Sequence, residues 1–123
     1  MTDRLHLIDD DDPARESLAF LLTTMGFCVL QYPSAEQFLS AQTDEPTEDL
    51  LISDIRMPGL DGIELTRRLR QRLWSVPIVL ISGHADSRLA QAAVDAGATA
   101  FLEKPYTEIS VKDAIDRSLR PIE

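Results

Sequence analysis

Short apolar runs alternate with amphipathic segments five times along this chain, and no other feature limits its possible folds as strongly. Each run has four or five residues, and in the segment after it apolar residues recur every three to four positions, the spacing of one helix face. Parallel strands have to be joined by crossover helices, so this alternation predicts an α/β domain with a doubly wound parallel sheet and helices on both faces. The predicted strands are residues 4–8, 27–31, 50–53, 78–82 and 99–102.

Capping residues set the predicted helix boundaries. The first helix is predicted over residues 12–25, with Pro13 in its first turn and Gly26 just past its end. Ser34 is expected to cap the second helix, and Gly97 to end the fourth. The side chains predicted to face the core are Leu18, Leu21, Leu22 and Met25 in the first helix, Phe38 and Leu39 in the second, Ile63, Leu65, Leu69 and Leu73 in the third, Leu89, Ala92, Ala93 and Ala96 in the fourth, and Val111, Ala114, Ile115 and Leu119 in the fifth.

Length and charge narrow the functional classes. A chain of 123 residues is the size of one domain, and we predict a single domain over residues 1–123. Its net charge of −9 disfavours direct binding to nucleic acid or to an anionic membrane surface. No apolar run approaches the roughly 18–20 residues of a membrane span, and the acidic N-terminal segment lacks the basic start of a secretion signal. The expected location is the cytoplasm.

Several residues away from the strand ends receive structural interpretations. A lone cysteine, Cys28, excludes an intramolecular disulfide and a zinc site of several thiolates, and its apolar neighbours predict a buried thiol. His6 lies inside the first strand and is predicted to be structural, whereas the role of His84, in the loop after the fourth strand, stays open. A run of arginines on the third helix is interpreted as a solvated face: Arg67, Arg68, Arg70 and Arg72.

Polar residues stand at the carboxyl ends of four predicted strands. They are Asp9 and Asp10 after the first strand, Asp54 after the third, Ser82 at the end of the fourth and Lys104 after the fifth. In a doubly wound sheet, functional groups collect at the carboxyl ends of the strands, where the strand order reverses. By analogy with flavodoxin-like folds we expect the order 2-1-3-4-5, which would bring all of these groups to one edge of the sheet.

This combination of groups predicts a phosphoryl-transfer site. Carboxylates held close together repel one another, and a divalent cation relieves the repulsion. Oxygen ligands without a nearby histidine or cysteine favour a hard ion, Mg²⁺ before Zn²⁺. An ammonium group and a hydroxyl facing the same point suit an anion with several oxygens. An aspartate nucleophile beside such groups fits the transfer of a phosphoryl group to a protein carboxylate.

Four ordered stretches of the sequence resemble one family closely. They read HLIDDDDP, LLISDIRMPGLDGIEL, IVLISGH and AVDAGATAFLEKP, and they are similar in order and spacing to the receiver domains of bacterial two-component response regulators. The resemblance covers residues 4–119 and implies the flavodoxin-like (CheY-like) fold. The sequences SLAFLL, ISGHAD and AFLEKP look like those of one subgroup, the nitrogen-fixation (FixJ-like) transcriptional regulators.

The resemblance implies a phosphorylation site with a bound metal. Asp54 matches the phospho-accepting aspartate of the family. Asp9 and Asp10 match its acidic pair, with Asp10 as a direct metal ligand and Asp9 acting directly or through water. The backbone carbonyl of Arg56 matches a further protein ligand. The cofactor implied is Mg²⁺, for which Mn²⁺ can substitute.

Further positions match family residues that respond to phosphorylation. Lys104 matches the lysine that pairs with the phosphoryl group, and Ser82 matches the hydroxyl residue that bonds a phosphoryl oxygen after activation. Pro105 matches a proline usually preceded by a cis bond, which would aim Lys104 into the site. Phe101 matches the switch aromatic that swings inward as the hydroxyl moves, and a simple core aromatic stays the alternative interpretation.

The family also implies partners. A sensor histidine kinase would donate the phosphoryl group, and the domain would accept it without being a turnover enzyme. Phosphorylation would shift a two-state population and change the surface formed by the fourth helix, the fifth strand and the fifth helix, which commonly supports dimerisation. The subgroup suggests that an output domain outside this chain regulates transcription. This domain itself is expected to bind neither nucleic acid nor a membrane.

Two other protein classes share part of the pattern. A hydrolase of the haloacid dehalogenase type needs a nucleophilic aspartate and a second aspartate two residues later. Asp9 and Asp11 fit that spacing, but Asp54 and Lys104 would then be unexplained. A flavodoxin-like flavin domain needs a phosphate-binding loop of Ser, Thr and Gly after the first strand, where this chain has four aspartates that would repel phosphate.

Overall fold

The computed structural model describes residues 3–43, 49–83 and 87–119, and within them five strands alternate with five helices. The predicted elements are present, and the second and fifth strands each lie one residue later than predicted. None of the helices in these ranges is both long and apolar enough to cross a membrane. The elements are β1 (Arg4–Ile8), α1 (Asp12–Thr24), β2 (Cys28–Tyr32), α2 (Ala35–Ala41), β3 (Leu50–Asp54), α3 (Gly62–Gln71), β4 (Ile78–Ser82), α4 (Ser87–Ala96), β5 (Ala100–Glu103) and α5 (Glu108–Leu119).

All five strands are parallel and lie in the order β2-β1-β3-β4-β5, as predicted. In this order β1, β3, β4 and β5 are consecutive neighbours. Asp54 at the end of β3 pairs with Ile81, and Ser82 at the end of β4 pairs with Glu103. The carboxyl ends of four strands therefore meet along one stretch of the sheet edge.

The sheet separates two hydrophobic cores. Residues of α2, α3 and α4 pack on one face, and residues of α1 and α5 pack on the other. Along β3 the side chains alternate between the two cores, since Leu51 belongs to the first and Leu50 and Ile52 belong to the second. A strand that is buried on both faces is apolar along its length, which explains the continuous apolar runs in the sequence.

Three helices start at a side chain that caps their first N–H groups. Asp11, Ser34 and Asp61 each accept a hydrogen bond from the backbone N–H three residues further on. These bonds satisfy donors that a helix start leaves without an intrahelical partner. The predicted cap at Ser34 and the predicted place of Pro13 in the first turn of α1 are both confirmed.

α1, α3 and α4 end in the same hydrogen-bonded turn. In each case a residue with positive φ follows the helix, and the N–H of the next residue donates back to the carbonyl five residues earlier. The residue with positive φ is Gly26 after α1 (100°), Gly97 after α4 (104°) and Leu73 after α3 (64°). The turn after α3 thus has a leucine where the other two turns have a glycine.

The prediction that Leu73 faces the core is wrong. The turn after α3 takes the chain off the helical path, and the Leu73 side chain is 87% exposed. Trp74 occupies the core instead, where it is 2% exposed and lies in the same hydrophobic cluster as Leu69.

Two further predictions of burial are also wrong. Leu119 of α5 is 52% exposed, because Ser118 takes the buried position in the last turn. The Ser118 hydroxyl donates to the Ile115 carbonyl at 2.9 Å, so this small polar side chain is satisfied within the helix. Cys28 is exposed because it starts β2, an edge strand whose side chains are only partly covered.

The arginine run on α3 contains two kinds of residue. The side chains of Arg67 and Arg68 are about half exposed, as predicted for a solvated face. Arg70 departs from that prediction, because its guanidinium donates to the carbonyls of Gly97 and Trp74 at 3.0 and 2.7 Å. Arg70 therefore ties the end of α3 to the end of α4.

His6 lies within β1, as predicted, and its side chain is buried. Its Nδ1 lies 2.8 Å from the Tyr32 hydroxyl, and its Nε2 lies 2.9 Å from a carboxylate oxygen of Asp49. The ring also contacts Phe38 edge-on. His6 thus joins β1 to β2, to α2 and to the residue before β3.

Candidate functional site

Three aspartates meet at the carboxyl edge of the sheet. Asp9 and Asp10 follow β1, and Asp54 is the last residue of β3. One carboxylate oxygen from each lies within 4.8 Å of the other two. Asp9 is buried, Asp54 is only slightly exposed and Asp10 is exposed, so the cluster opens to solvent on the side of Asp10.

Asp9 is fixed by bonds to its surroundings. Its N–H donates to the Tyr32 carbonyl at 3.1 Å, and its carboxylate accepts from the Asp11 N–H at 3.0 Å. The Arg15 guanidinium donates to the Asp9 carbonyl at 2.8 Å. These bonds orient Asp9 before any ligand arrives. Asp11, which the hydrolase alternative needs as a second acid, serves as the cap of α1.

Lys104 reaches the cluster from the loop after β5. Its ammonium nitrogen lies 3.5 Å from a carboxylate oxygen of Asp54. Its backbone N–H donates to the Ser82 carbonyl at 2.8 Å, which continues the pairing of β4 and β5 past the end of β5. The peptide bond between Lys104 and Pro105 is cis, as the resemblance implied.

The other predicted site residues lie at different depths, and their roles stay predictions. Ser82, the last residue of β4, is 1% exposed. Phe101 of β5 is half-buried and packs against the core beneath α2, α3 and α4, a position that suits a switch residue and a core residue equally. Arg56 is exposed and lies two residues after the end of β3. His84 lies outside the described residues.

Burial raises the pKa of Asp54 from its ordinary value of 3.8 to about 6. Loss of solvent is the largest cause, and the positive charge of Lys104 opposes it. The neighbouring carboxylates of Asp9 and Asp10 add to the rise. Burial also raises the pKa of Asp9. Negative charge at this site is therefore unfavourable unless a further positive charge is present.

The donor set fits a hard divalent cation. Asp9, Asp10 and Asp54 offer carboxylate oxygens only, and within the described ranges no histidine or cysteine joins the cluster. Lys104 supplies one positive charge to three carboxylates, which leaves a net negative site. The three aspartates could therefore hold a metal ion.

Three residues near the site could not be recognised from the sequence as part of its surroundings. Arg15 holds the Asp9 carbonyl, and Glu36 of α2 accepts a bond from the Leu60 N–H, 24 residues away. Tyr106 lies close enough to the site to interact with its charges, and burial raises its pKa. Helix periodicity marks Arg15 and Glu36 only as polar positions, and it does not indicate which loops they contact.

Known proteins resemble this chain in sequence. The family model of the response regulator receiver domain matches residues 5–116. The transcriptional regulatory protein FixJ of Rhizobium meliloti is 42% identical over 119 residues, which cover 96% of this chain and 58% of FixJ. The C4-dicarboxylate transport transcriptional regulatory protein DctD of Pseudomonas aeruginosa is 41% identical over 113 residues, which cover 92% of this chain and 24% of DctD. The chain thus spans little more than half of FixJ and a smaller part of DctD.

A solved structure agrees with these relationships. The crystal structure of FixJ-N matches with a TM-score of 0.86 and 40% identity, covering 98% of this chain and 96% of that one. The resemblance to the FixJ-like subgroup is thereby confirmed. Receiver domains are phosphoacceptor signalling domains of two-component systems rather than turnover enzymes, and their partners are histidine kinases. Since the family model matches almost its whole length, this chain belongs to the response regulator receiver domain family.

Proposed function

We propose that this domain accepts a phosphoryl group on Asp54 from a histidine kinase, and that phosphorylation switches its output surface. The observation that carries the proposal is the position of Asp54. Its carboxylate lies beside those of Asp9 and Asp10 and 3.5 Å from the Lys104 ammonium. A nucleophile, an acidic cluster and a fixed positive charge are the groups that phosphoryl transfer to a carboxylate requires.

In the proposed step, a carboxylate oxygen of Asp54 attacks the phosphorus of a phosphohistidine. The new P–O bond forms as the P–N bond breaks, and the donor imidazole leaves with the electron pair of that bond and takes up a proton from solvent. The ionised carboxylate is the nucleophile, and in the metal-free protein this form predominates above a pH of about 6.

Mg²⁺ is the proposed cofactor, and Mn²⁺ is a proposed substitute. The residues that would hold it are Asp9, Asp10, Asp54 and, through its backbone carbonyl, Arg56. They form an all-oxygen set suited to a hard cation. When bound, the cation supplies positive charge that offsets the repulsion between the carboxylates and the phosphoryl oxygens.

Lys104 and Ser82 are the proposed partners of the phosphoryl group. The Lys104 ammonium faces Asp54 and would pair with one phosphoryl oxygen. Ser82 ends the strand next to β3, and its hydroxyl would donate to another oxygen. We propose that Phe101 follows Ser82 inward and that Pro105 keeps Lys104 directed into the site.

The wider role is proposed from the relatives. FixJ and DctD are transcriptional regulatory proteins by name, and this chain matches part of each. We infer that residues 1–123 form a cytoplasmic receiver domain and that an output domain outside this chain controls transcription. Phosphorylation is proposed to favour a homodimer through α4, β5 and α5. Binding to nucleic acid is not proposed for the receiver domain itself.

Intact mass after incubation with acetyl phosphate tests the proposed phosphorylation. We expect the mass of one phosphoryl group to be gained only with Mg²⁺ present, and to be lost with hydroxylamine, as an acyl phosphate is. Asp54→Asn should abolish the gain. Asp116→Asn, which removes the same charge from an exposed position on α5, should retain it. An undiminished gain by Asp54→Asn would contradict the assignment.

A further inference from the structure

We infer that Glu36 of α2 is a positioning residue for the loop between β3 and α3, and that it orients the Arg56 carbonyl toward the metal site. The inference rests on the function proposed above, because that function makes Arg56 a metal ligand. Glu36 lies in a different element from the acidic cluster and is exposed. Its part in the site is visible only from its contact with the loop.

The carboxylate of Glu36 is bonded to the tip of the loop. The Leu60 N–H donates to Glu36 Oε2 at 3.1 Å, across 24 residues of sequence. This bond is the largest cause of the lowered pKa of Glu36, and the backbone N–H of Glu36 itself adds to the shift. The charged carboxylate is therefore the form that holds the loop, and a charged acceptor makes a stronger bond than a neutral one.

The loop is shaped to admit this carboxylate. Gly59, next to Leu60, has a φ of +75°, and a Cβ built there would overlap Glu36 Oε2. No side chain could occupy that position while Glu36 keeps its place. The Glu36 carboxylate thus approaches the loop at a position where the backbone, at a positive φ, carries no Cβ.

α2 gives Glu36 a rigid base. Ser34 caps the helix, and Ala35 and Phe38 on either side of Glu36 are fully buried in the core. The position of α2 is therefore set by packing. A loop bonded to Glu36 is held against the body of the protein.

The loop is also closed at its base. The Gly62 N–H donates to the Ile55 carbonyl at 3.0 Å. Arg56 lies between this closure and the tip at Leu60, so the chain on either side of its carbonyl is fixed. Restricting the loop before a cation binds reduces the conformational entropy that binding would otherwise cost.

Three variants separate this role from a general structural one. Glu36→Ala removes the acceptor, and Glu36→Gln keeps an acceptor oxygen without the charge. Gln37→Ala is the matched control, since it alters the adjacent exposed side chain of the same helix. For each variant, titration calorimetry measures the Mg²⁺ affinity of the unphosphorylated protein, and NMR measures exchange of the Leu60 amide hydrogen in chelator.

We expect Glu36→Ala to weaken Mg²⁺ binding about tenfold, as is common for residues that orient metal ligands. Exchange of the Leu60 amide should accelerate, because its acceptor is gone. Glu36→Gln should recover part of both properties, since an amide oxygen accepts the same bond but holds it more weakly than a charged carboxylate does. Gln37→Ala should match the parent protein.

Unchanged Mg²⁺ affinity in Glu36→Ala would overturn the inference, whether or not the Leu60 amide exchanges faster. Faster exchange with an unchanged Mg²⁺ affinity would mean that the Glu36 contact holds the loop but does not contribute to metal binding. Failure of the proposed function would look different, because the parent protein itself would then bind no Mg²⁺ or gain no phosphoryl group.

Discussion

Asp54 combines a largely buried side chain with two acidic neighbours, so folding works against its ionised form. Its pKa is about 6 in the folded protein, whereas the ordinary pKa of an aspartate is 3.8. Between these two pH values the folded protein holds the proton more tightly than the unfolded chain does. The free energy of unfolding therefore falls as the pH rises through this range, and the loss is complete above the folded pKa.

We predict that Asp54→Asn stabilises the metal-free protein near neutral pH by roughly 1–3 kcal/mol, because the amide has no unfavourable ionised form. The difference should shrink as the pH falls below about 6 and should vanish below 3.8, where the carboxyl is protonated in both states. Urea unfolding in chelator, followed by circular dichroism at several pH values, measures the effect.

Mg²⁺ and a control variant complete this test. Saturating Mg²⁺ should stabilise the parent protein more than Asp54→Asn, because a ligand that binds only the folded state shifts unfolding by mass action. Asp116→Asn should leave the stability nearly unchanged, since it alters an exposed acid. An Asp54→Asn variant that is no more stable than its parent near neutral pH would contradict the raised pKa.

Some residues near the site could be identified from the sequence, and others could not. Asp9, Asp54 and Lys104 were predicted to lie together because each marks the change from an apolar run to a polar segment, and strand ends meet at one edge. Arg15 and Glu36 could not be predicted. Each is on a helix, and its partner depends on how a loop folds back toward it.

Among the helices and strands, the main wrong prediction from the apolar spacing concerns the end of a helix. Apolar spacing placed Leu73 on the core face of α3, four residues after Leu69. The helix stops at Gln71, and the turn carries Leu73 outward. Periodicity describes a helix that continues, and it says nothing of where the helix ends. A glycine marks the end of α1 and of α4, and α3 lacks that signal.

We predict that Leu73→Gly stabilises the protein by about 0.5–1 kcal/mol, although it removes a large apolar side chain. A leucine at positive φ brings its Cβ too close to the following carbonyl. The side chain is 87% exposed, so little burial is lost with it. Urea unfolding should show a higher midpoint with an unchanged slope.

The turn after α1 provides the matched control for this prediction. Gly26 occupies the equivalent position with a φ of +100°, and a Cβ built there meets no atom within 4 Å. Gly26→Ala should therefore destabilise the protein through its backbone conformation alone, by about 1 kcal/mol. Should Leu73→Gly destabilise the protein as well, the exposed leucine would have to make contacts worth more than its strain.

For the molecule as a whole, the alternation of strands and helices predicted a parallel sheet, and the flavodoxin-like analogy supplied its order. Burial at the edge of the sheet was not predicted correctly. An apolar strand has the same sequence pattern whether or not another strand lies beyond it. Cys28 is exposed because β2 has a neighbour on one side only.

Exposed apolar residues on the proposed output face allow a test of dimerisation. Val94 on α4 is 61% exposed, and Ile109 on α5 is 80% exposed. We predict that the phosphorylated protein forms a dimer and that Val94→Glu or Ile109→Glu weakens it roughly tenfold or more, because the interface would bury an unpaired charge. Sedimentation velocity over a concentration series measures the dissociation constant.

Phe20→Glu is the control for these variants. Phe20 is 74% exposed on α1, which packs on the opposite face of the sheet from α4. This variant should dimerise as the parent does, and all three variants should gain the same phosphoryl mass. Equal weakening by Phe20→Glu, or a monomeric phosphorylated parent, would contradict the proposed interface.

Trp74 is the single tryptophan of the chain, and its place in the fold makes it a selective optical probe. It is 2% exposed and precedes β4 at the amino edge of the sheet, whereas Asp54 lies at the carboxyl edge, about 15 Å away along a five-residue strand. Its emission should shift to longer wavelength when the molecule unfolds and should stay constant while cations are added. Trp74 fluorescence can therefore show that each variant is folded during the same titration in which cations are added.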